Sequence, residues 1–386
     1  MAAEAGGPAA ERAESGSDGL ADRLAALPLR ADLRGRTPYG APQLDVAVRL
    51  NVNENPFAPS ADLVDDLARA VSETARGLNR YPDRDATALR GDLAAYLRAR
   101  EGADLGPDAV WAANGSNEVM LQLLQAFGGP GRTALGFTPT YSMYPDYCRD
   151  TFTGYVTAQR ADDFGLDAAR AAEAVTRLAP DVVLLASPNN PTGTALALDV
   201  VEAVLAAGPG MVIVDEAYAE FRRPGTPSAL TLLGRDPRLV VTRTMSKAFA
   251  FAGARVGYLA ADPAVVAAVQ LVRLPYHLSA LTQAAARTAL AHASELLAGV
   301  DLLRAERDDL VAWLRGQGLA VADTDANFAL FGRFADRHAV WRGLLDRGVL
   351  IRETGPDGWL RVSVGAPEEN QAFRTALAAT LGEIQA

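Results

Sequence analysis

Asp181-Val-Val-Leu-Leu-Ala186 and Met211-Val-Ile-Val214 are two short, continuous apolar runs, and the segment from Leu198 to Ala206 between them has helical periodicity. Apolar runs of this length, bounded by turn residues, predict strands that are buried on both faces. Val110 to Ala113 and Leu239 to Thr242 repeat the pattern elsewhere in the chain. We therefore predict an α/β fold, with a large domain built on a mostly parallel sheet flanked by helices.

The pattern changes after about residue 276. Two long helical stretches come first, Leu278 to Leu297 and Asp301 to Arg315, and three short apolar runs follow them: Phe328 to Phe331, Val349 to Ile351 and Trp359 to Val364. This order predicts a second, smaller α+β domain. We assign residues 51–275 to the large domain and residues 19–50 and 276–386 to the small one. Residues 1–18, rich in Ala, Glu, Gly and Ser, predict a disordered tail.

Composition excludes several classes of function. The 386-residue chain has a net charge of −10 and a pI near 5.0, which disfavours a general nucleic-acid surface. Its one cysteine, Cys148, cannot form an intrachain disulfide, and its three histidines are too far apart in sequence to predict a metal site. No apolar stretch is long enough to span a bilayer. We expect a cytoplasmic protein without a metal.

Four polar segments follow predicted strands. They are Asn114-Gly-Ser-Asn117, Ser187-Pro-Asn-Asn-Pro-Thr-Gly193, Asp215-Glu-Ala-Tyr218 and Thr244-Met-Ser-Lys247. Ligands of open parallel sheets bind beyond the carboxyl ends of the strands, so we expect these four segments to meet at one edge of the sheet.

Lys247, in the fourth segment, is the only lysine of the chain; the other 36 of its 37 basic residues are arginines. A guanidinium stays protonated near neutral pH, whereas an ε-amine can lose its proton and form a Schiff base with a carbonyl. Taken alone, a single lysine would be interpreted as an accident of an arginine-rich composition. The residues around Lys247 favour a chemical role instead.

These neighbours predict a phosphate site. Gly115, Ser116 and Asn117 open a predicted helix, where backbone N–H groups bind anions and Ser116 would also be the N-cap. Ser246 adds a second hydroxyl and Arg255 a fixed positive charge. A phosphate site beside a Schiff-base lysine predicts pyridoxal phosphate as the cofactor.

Pyridoxal phosphate needs two more kinds of partner. A buried carboxylate must face its protonated ring nitrogen, and Asp215 at the end of a strand is placed for that role. Its phenolic oxygen needs hydrogen-bond donors, which Asn190 and Tyr218 would supply. Thr244 completes the set of cofactor-binding residues. Each of these residues, taken singly, can be interpreted as a helix cap or part of a turn. Their joint occurrence at strand ends favours the interpretation that they bind the cofactor.

The motifs resemble those of fold type I pyridoxal-phosphate aminotransferases, and among them the histidinol-phosphate aminotransferases. The resemblance runs from about Leu27 to the C-terminus and rests on these segments: Thr244-Met-Ser-Lys-Ala-Phe-Ala-Phe-Ala-Gly253, Asn190-Pro-Thr-Gly193, Asp215-Glu-Ala-Tyr218, Leu33-Arg-Gly-Arg-Thr-Pro-Tyr39, Leu50-Asn-Val-Asn-Glu-Asn-Pro56, Arg80-Tyr-Pro-Asp83, Pro139-Thr-Tyr-Ser-Met-Tyr144 and Leu360-Arg-Val-Ser-Val-Gly365.

This resemblance implies roles for individual residues. Lys247 would hold the cofactor and then act as general base and acid, and Tyr141 would stack on the pyridine ring. Tyr81 would reach the cofactor phosphate of the other subunit, which implies a homodimer. Arg361 would bind the anionic end of the substrate, helped by three further residues: Arg352, Tyr39 and Asn53.

The activity that the resemblance implies is transamination of L-histidinol phosphate with 2-oxoglutarate, giving imidazole-acetol phosphate and L-glutamate in histidine biosynthesis. An aromatic amino-acid aminotransferase for phenylalanine or tyrosine is the alternative. Two further hypotheses are a decarboxylase on the same scaffold and a regulator with an aminotransferase-like domain. The regulator would carry a basic DNA-binding module, and none is visible in the sequence.

Overall fold

The computed structural model describes residues 22–38 and 40–385. The chain divides into two compact units, Met1–Pro42 and Gln43–Ala386. In the first unit, residues 22–26 are helical and Ala31–Leu33 form a turn of 3-10 helix beside an exposed ion pair between Arg30 and Asp32. The predicted tail over residues 1–18 lies outside the described residues.

The second unit contains twelve strands among the described residues, in three sheets: β1 (Val48–Leu50), β2 (Val110–Ala113), β3 (Thr133–Thr138), β4 (Gly154–Gln159), β5 (Val182–Ala186), β6 (Met211–Asp215), β7 (Leu239–Thr244), β8 (Gly257–Ala261), β9 (Ala320–Val321), β10 (Phe328–Gly332), β11 (Val349–Ile351) and β12 (Trp359–Ser363). The largest sheet has the order β2-β8-β7-β6-β5-β3-β4. Within the described residues, β8 is the one strand of this sheet that runs opposite to the other six. The mostly parallel sheet is thus confirmed.

Helices precede, follow and connect these strands: α1 (Ala61–Ala75), α2 (Thr87–Glu101), α3 (Ser116–Phe127), α4 (Tyr144–Asp150), α5 (Ala168–Leu178), α6 (Leu198–Ala207), α7 (Pro263–Val272), α8 (Ala280–Ala291), α9 (Ala293–Gly316), α10 (Arg337–Asp346) and α11 (Pro367–Gln385). Several begin at a capping side chain that the sequence supplies. Ser60, Asp167 and Ser279 each accept a hydrogen bond from a backbone N–H in the first turn of α1, α5 and α8. No helix in the described part of the chain is long and apolar enough to cross a membrane.

The large sheet is covered on both faces. Along β5, Val183 and Leu185 belong to one buried cluster, while Val182 and Leu184 belong to another on the opposite face. Alternate residues of a strand point to opposite faces, so a strand with no polar position must be buried on both. This is why the apolar runs in the sequence predicted these strands.

Three strands of the large sheet were not predicted. β4 lies at an edge of the sheet with several partly exposed positions, and β3 contains Thr133 and Gly136, so neither is a continuous apolar run. β8, which starts at Gly257, is buried, but its antiparallel insertion between β2 and β7 breaks the strand–helix alternation that guided the prediction.

The helices after residue 276 also differ from the prediction. The chain bends at His292 rather than near residue 300, so α8 is shorter and α9 longer than expected. The ring of His292 bridges two carboxylates, with Nε2 2.8 Å from Oδ2 of Asp66 and Nδ1 3.3 Å from Oε2 of Glu295. A tertiary contact places this break, and no Gly or Pro marks it in the sequence.

Strands from the last part of the chain, together with β1, form two small sheets. β12, β10 and β9 form an antiparallel sheet, and β1 pairs in parallel with β11. The assignment of residues 19–50 and 276–386 to one small domain remains a prediction.

Strand directions bring the four polar segments together. β5, β6 and β7 are parallel, and β2 has the same direction as β7 because each is antiparallel to the intervening β8. The residues that follow β2, β5, β6 and β7 therefore lie along the same edge of the sheet.

Candidate active site

Lys247 lies just after β7 and is half-buried. Its Nζ donates a hydrogen bond to the backbone carbonyl oxygen of Val52, 2.9 Å away. The pKa of this amine is lowered to about 8, chiefly by burial and to a lesser extent by the positive charges of Arg361 and Arg255, while Glu54 opposes the shift. Near neutral pH the amine thus loses its proton far more readily than an exposed lysine does.

Asp215 ends β6 and is buried. Its carboxylate accepts hydrogen bonds from the hydroxyl of Tyr144 (3.1 Å), the backbone N–H of Ala217 (3.2 Å) and the hydroxyl of Thr242 (3.3 Å). All three donors are neutral. Burial therefore prevails and raises the pKa of Asp215 to about 6, against the lowering effect of these bonds.

The predicted phosphate-binding residues are brought together. The hydroxyl of Thr244 lies 3.0 Å from that of Ser246, and Nη1 of Arg255 lies 3.4 Å from the Ser246 oxygen. A Cβ atom added to Gly115 would come within 2.6 Å of Nη2 of Arg255, and one added to Gly257 within 2.1 Å of the backbone nitrogen of Ser116. Two glycines therefore allow the start of α3 to lie against β8 and Arg255.

Two details of this loop differ from the sequence prediction. The N-cap of α3 is Gly115, with φ of 84°, and Ser116 is already the first helical residue. The helix has no side-chain cap, and the side chain of Glu118 instead accepts hydrogen bonds from the backbone and side-chain nitrogens of Asn114, just before the N-cap. Asn117 is exposed on the first turn.

Arg361 and Asn190, predicted to bind substrate and cofactor respectively, contact each other. Nη1 of Arg361 donates to Oδ1 of Asn190 at 2.6 Å, and Nη2 donates to the carbonyl oxygen of Asn51 at 2.9 Å. The guanidinium also lies 5.2 Å from the ring centre of Phe328. Arg352 is the backbone partner of Arg361, with hydrogen bonds of 3.0 Å in both directions.

Tyr218 and Asn53 form a second contact between predicted residues. Nδ2 of Asn53 donates to the hydroxyl of Tyr218 at 3.0 Å, and Oδ1 of Asn53 accepts from the hydroxyl of Ser363 at 2.9 Å. The ring of Tyr218 packs edge-on against Phe328, with centroids 5.0 Å apart.

The aromatic residues have different positions. Tyr141 is half-buried and packs edge-on against Tyr144, the residue that holds Asp215. Tyr81 is 79% exposed and stacks on the ring of Tyr276 at 4.3 Å. Tyr39 lies outside the described residues. No group of three or more metal-binding side chains is found among the residues that the structure describes.

Pyridoxal phosphate fits these residues. A buried carboxylate that has only neutral donors suits a protonated ring nitrogen, and the absence of a side chain at Gly115 leaves room beside the guanidinium of Arg255 for a phosphate. Lys247, Arg255 and Arg361 carry more positive charge than Asp215 balances, as the binding of anionic ligands requires.

The sequence did not reveal several residues of this site. The carbonyl group of Val52, the hydroxyls of Tyr144 and Ser363 and the ring of Phe328 all contact predicted residues. Tyr144 is the last residue of the motif Pro139-Thr-Tyr-Ser-Met-Tyr144, which contributed to the resemblance but gave Tyr144 no role of its own. Val52 and Ser363 likewise lie in quoted motifs, and Phe328 begins an apolar run that predicted only a strand.

A cluster of buried charges, which we call the Arg243 cluster, lies next in sequence to the site. It comprises Arg243, Arg222, Glu101, Glu216 and Glu220. Arg243 is 1% exposed and binds Glu216, Glu220 and Glu101 at 2.7, 3.0 and 2.9 Å. Arg222 also binds Glu101 at 2.9 Å. Each charge in it has a partner of opposite sign.

Comparisons with known proteins identify the family of the chain. The family model of class I and II aminotransferases matches residues 45–377. A histidinol-phosphate aminotransferase of Thermobifida fusca is 64% identical over 356 residues, covering 92% of this chain and 96% of that protein. Histidinol-phosphate aminotransferase 3 of Burkholderia lata is 62% identical over 354 residues, again 92% of this chain and 96% of the relative.

Solved structures share the fold. The histidinol-phosphate aminotransferase of Sinorhizobium meliloti, in complex with pyridoxal-5'-phosphate, superposes with a TM-score of 0.81 at 24% identity, covering 94% of this chain and all of that one. A mutant aspartate aminotransferase of Thermus thermophilus gives a TM-score of 0.77 at 24% identity, over 92% and 99% of the two chains. These two likenesses confirm the fold type I architecture. The chain belongs to the class I and II aminotransferases and, among them, to the histidinol-phosphate aminotransferase family.

Proposed function

We propose that this chain transfers the amino group of L-histidinol phosphate to 2-oxoglutarate, giving imidazole-acetol phosphate and L-glutamate, with pyridoxal phosphate as its cofactor. The observation that carries the proposal is the amine of Lys247, which lies 2.9 Å from the Val52 carbonyl and whose pKa is lowered by burial and by the charges of Arg361 and Arg255. Its relatives at 62% and 64% identity bear the name of this activity.

Residues at the sheet edge would hold the cofactor. When bound, pyridoxal phosphate supplies an aldehyde for the substrate amine and a ring that accepts electrons as a proton leaves the neighbouring carbon. Asp215 would keep the ring nitrogen protonated, and Tyr218 and Asn190 would donate to the phenolic oxygen. The phosphate would lie among Thr244, Ser246, Arg255 and the first turn of α3, which includes Gly115, Ser116 and Asn117. Tyr141 would cover the ring.

Lys247 carries the proton transfer in this mechanism. Its amine would hold the cofactor and would become free when the substrate amine takes its place. The free Nζ, whose pKa is about 8 without the cofactor, would then accept the proton from the substrate carbon and return it to the cofactor side. The amine can act in both directions because its pKa is close to the working pH.

Arg361 would bind the anionic end of each substrate in turn, the phosphate of histidinol phosphate and a carboxylate of glutamate or 2-oxoglutarate. A guanidinium binds both kinds of anion through paired N–H groups. Arg352, held beside Arg361 by the backbone pairing, would assist, and we propose the same for Tyr39.

A half-reaction tests the proposal. Protein saturated with pyridoxal phosphate is mixed with L-histidinol phosphate or with L-phenylalanine, and the visible absorbance of the bound cofactor is followed by stopped flow. We expect rapid loss of the band with histidinol phosphate and loss slower by orders of magnitude with phenylalanine.

The reverse order would identify an aromatic amino-acid aminotransferase instead. Release of carbon dioxide without a need for 2-oxoglutarate would identify a decarboxylase. A protein that acquires no visible band with pyridoxal phosphate would overturn the role given to Lys247.

We also propose that two copies form a cytoplasmic homodimer in which Tyr81 completes the phosphate site of the other subunit. Tyr81 supports this arrangement because its ring is 79% exposed and stacks on Tyr276, itself 41% exposed. Leu271 and Leu274, close to Tyr276 in sequence, are 87% and 73% exposed. Large apolar side chains at the surface mark an interface.

Hybrid dimers test the role of Tyr81. One subunit carries Lys247→Ala and the other Tyr81→Ala, so that each parent dimer has two defective sites. If Tyr81 acts across the interface, the hybrid contains one site with both native residues and recovers about half the wild-type activity. Activity no higher than that of the Tyr81→Ala parent would place Tyr81 in the site of its own subunit.

A further inference from the structure

The segment from Asn51 to Asn55 contributes backbone and side-chain groups to the candidate site. The carbonyl of Asn51 accepts from Arg361, and the carbonyl of Val52 accepts from Lys247. Nδ2 of Asn55 donates to the carbonyl of Ala248, one residue beyond the lysine. The segment thus contacts the two residues to which the mechanism gives the main chemical roles.

Asn53, in the middle of this segment, has a backbone conformation that side chains seldom adopt. Its φ is 57°, in the left-handed region, and it is not a glycine. Asparagine tolerates this region better than most residues, yet the conformation persists only where the surroundings impose it. Here the N–H donates to the hydroxyl of Ser363 at 2.9 Å, and the carbonyl accepts from Nδ2 of Asn327 at 3.2 Å.

The peptide between Val52 and Asn53 links two of these contacts. A trans peptide directs its C=O and its N–H to opposite sides. The N–H of this unit binds Ser363 and the C=O binds Lys247, so the hydrogen bond to Ser363 fixes the group that holds the lysine amine.

The side chain of Asn53 is engaged within the protein at both polar ends. It is 2% exposed, with Nδ2 donating to the hydroxyl of Tyr218 and Oδ1 accepting from the hydroxyl of Ser363. A hydroxyl oxygen that accepts a hydrogen bond becomes a stronger donor through its own proton. The amide therefore fixes the direction of the Tyr218 hydroxyl and strengthens it as a donor.

We propose that Asn53 is a positioning residue for the cofactor, rather than the substrate ligand that the sequence resemblance implies. Its side chain orients the hydroxyl of Tyr218 toward the phenolic oxygen of pyridoxal phosphate, and its strained backbone holds the Val52 carbonyl that receives the released amine of Lys247. This inference rests on the proposed cofactor, and it requires no particular amino donor.

The spectroscopic pKa of the bound cofactor measures this role directly. A hydrogen-bond donor stabilises the negative charge on the phenolic oxygen of the bound cofactor. Without the donor, that charge helps to retain the proton on the nitrogen that links the cofactor to Lys247. Weakening the donor therefore raises the pH at which the visible band changes. We expect an upward shift of about one pKa unit for Tyr218→Phe, which removes the donor, and about half a unit for Asn53→Gly, which only weakens it.

Asn53→Gly removes the amide but accepts the positive φ, so it isolates the side chain from the backbone. Asn53→Ala removes the same amide and also strains the backbone, and the difference between the two variants reports the backbone role. Asn55→Gly is the matched control, since its amide donates to Ala248 rather than to Tyr218. The control should leave the spectroscopic pKa unchanged.

A double-mutant cycle makes the test specific. If Asn53 acts through Tyr218, Asn53→Gly adds no further shift to the Tyr218→Phe protein. A full additional shift in the double variant would overturn the proposal. So would a KM for histidinol phosphate that rises in Asn53→Gly while the spectroscopic pKa stays at its wild-type value, because that result makes Asn53 a substrate ligand.

These outcomes are separate from a failure of the proposed function. A wild-type protein without a visible band would refute the cofactor itself. A wild-type protein that has the band but prefers another amino donor would refute the substrate, and the predicted pKa shifts would still stand because they are measured without substrate.

Discussion

Asp215 and Glu216 are adjacent, both are buried carboxylates, and they have opposite surroundings. Glu216 belongs to the Arg243 cluster, where its oxygens bind Arg243 at 2.7 Å and the hydroxyl of Ser228 at 2.7 Å. Asp215 has only neutral donors, and burial raises its pKa to about 6. The protein thus balances the charge of the Glu216 carboxylate, whereas the charge of the adjacent Asp215 carboxylate has to be balanced by a ligand.

The same contrast applies to the cations. Arg243 is surrounded by three glutamates within 3.0 Å. The pKa of Lys247, four residues later, is lowered mainly by burial, with Arg361 and Arg255 also lowering it and Glu54 opposing them. Charges that are balanced within the protein stabilise a structure, and charges that are left unbalanced in a cleft indicate a binding site. The difference between the two regions supports our proposal that the region around Lys247 and Asp215 binds the cofactor.

The largest effect is expected from Lys247→Ala. Because the chain has no second lysine, we expect turnover to fall by about 10⁴-fold or more, as the loss of the general base requires. Thermal stability of the cofactor-free protein should change little, since the variant removes an unbalanced charge. Lys247→Arg is the control, because it retains a cation that cannot lose its proton. Steady-state assays of either variant that give more than a few per cent of wild-type turnover would refute the assignment.

Arg243→Met should have the second largest effect, and on stability rather than chemistry. It leaves two buried glutamates, Glu216 and Glu220, without their cation, so the free energy of unfolding should fall by about 3–5 kcal/mol. Arg235→Met breaks an exposed pair with Glu202 and should cost less than about 1 kcal/mol. Urea unfolding with cofactor present measures both. Equal losses of unfolding free energy in the two variants would contradict the claim that the buried ion pairs of the Arg243 cluster matter more for stability than an exposed pair.

Gly115→Ala should have a smaller effect, confined to the binding site. The new Cβ would come within 2.6 Å of Nη2 of Arg255 and displace the guanidinium from the phosphate-binding loop. We expect affinity for pyridoxal phosphate to fall by about tenfold to a hundredfold, the equivalent of one charged hydrogen bond.

Gly131→Ala provides the matched control for this variant. Gly131 has a similar φ, 81° against 84°, but no atom lies within 4 Å of the position of its Cβ. Both variants should lose about 1 kcal/mol of stability from the backbone conformation, and only Gly115→Ala should lose affinity, measured by fluorescence titration. Equal affinities in the two variants would contradict the placement of Arg255.

The sequence predicted the sheet and the main residues of the site because both have local signals. Asp215 and Lys247 follow apolar runs that could only be buried strands, and the common direction of those strands brings the two residues to one edge. The identity of Lys247 as the sole lysine needed no structure at all.

The contacts that tune these residues had no such signal. Tyr144 reaches Asp215 from 71 residues away, and Asn53 reaches Tyr218 from 165 residues away. Glu101 joins Arg243 from 142 residues away. Such pairs depend on how the elements pack, which a pattern within one segment does not contain. The cap of α3 was mistaken because Gly115, with φ of 84°, is the N-cap and Ser116 is already helical.

The most direct test of the contrast is the pH dependence of unfolding for cofactor-free Asp215→Asn and Glu216→Gln. Because the folded pKa of Asp215 is about 6, above its usual 3.8, the wild-type protein loses stability as pH rises through that interval, by about 3 kcal/mol. Asp215→Asn should be spared this loss, so at pH 8 it should exceed the wild type and near pH 4 match it.

Glu216→Gln should instead be less stable than the wild type at pH 8, by about 3 kcal/mol, because it removes one partner of a buried ion pair. Opposite changes in the urea midpoints at pH 8 would therefore support the account that the protein balances one carboxylate and leaves the other for its cofactor. A loss of stability in Asp215→Asn equal to that in Glu216→Gln would contradict it.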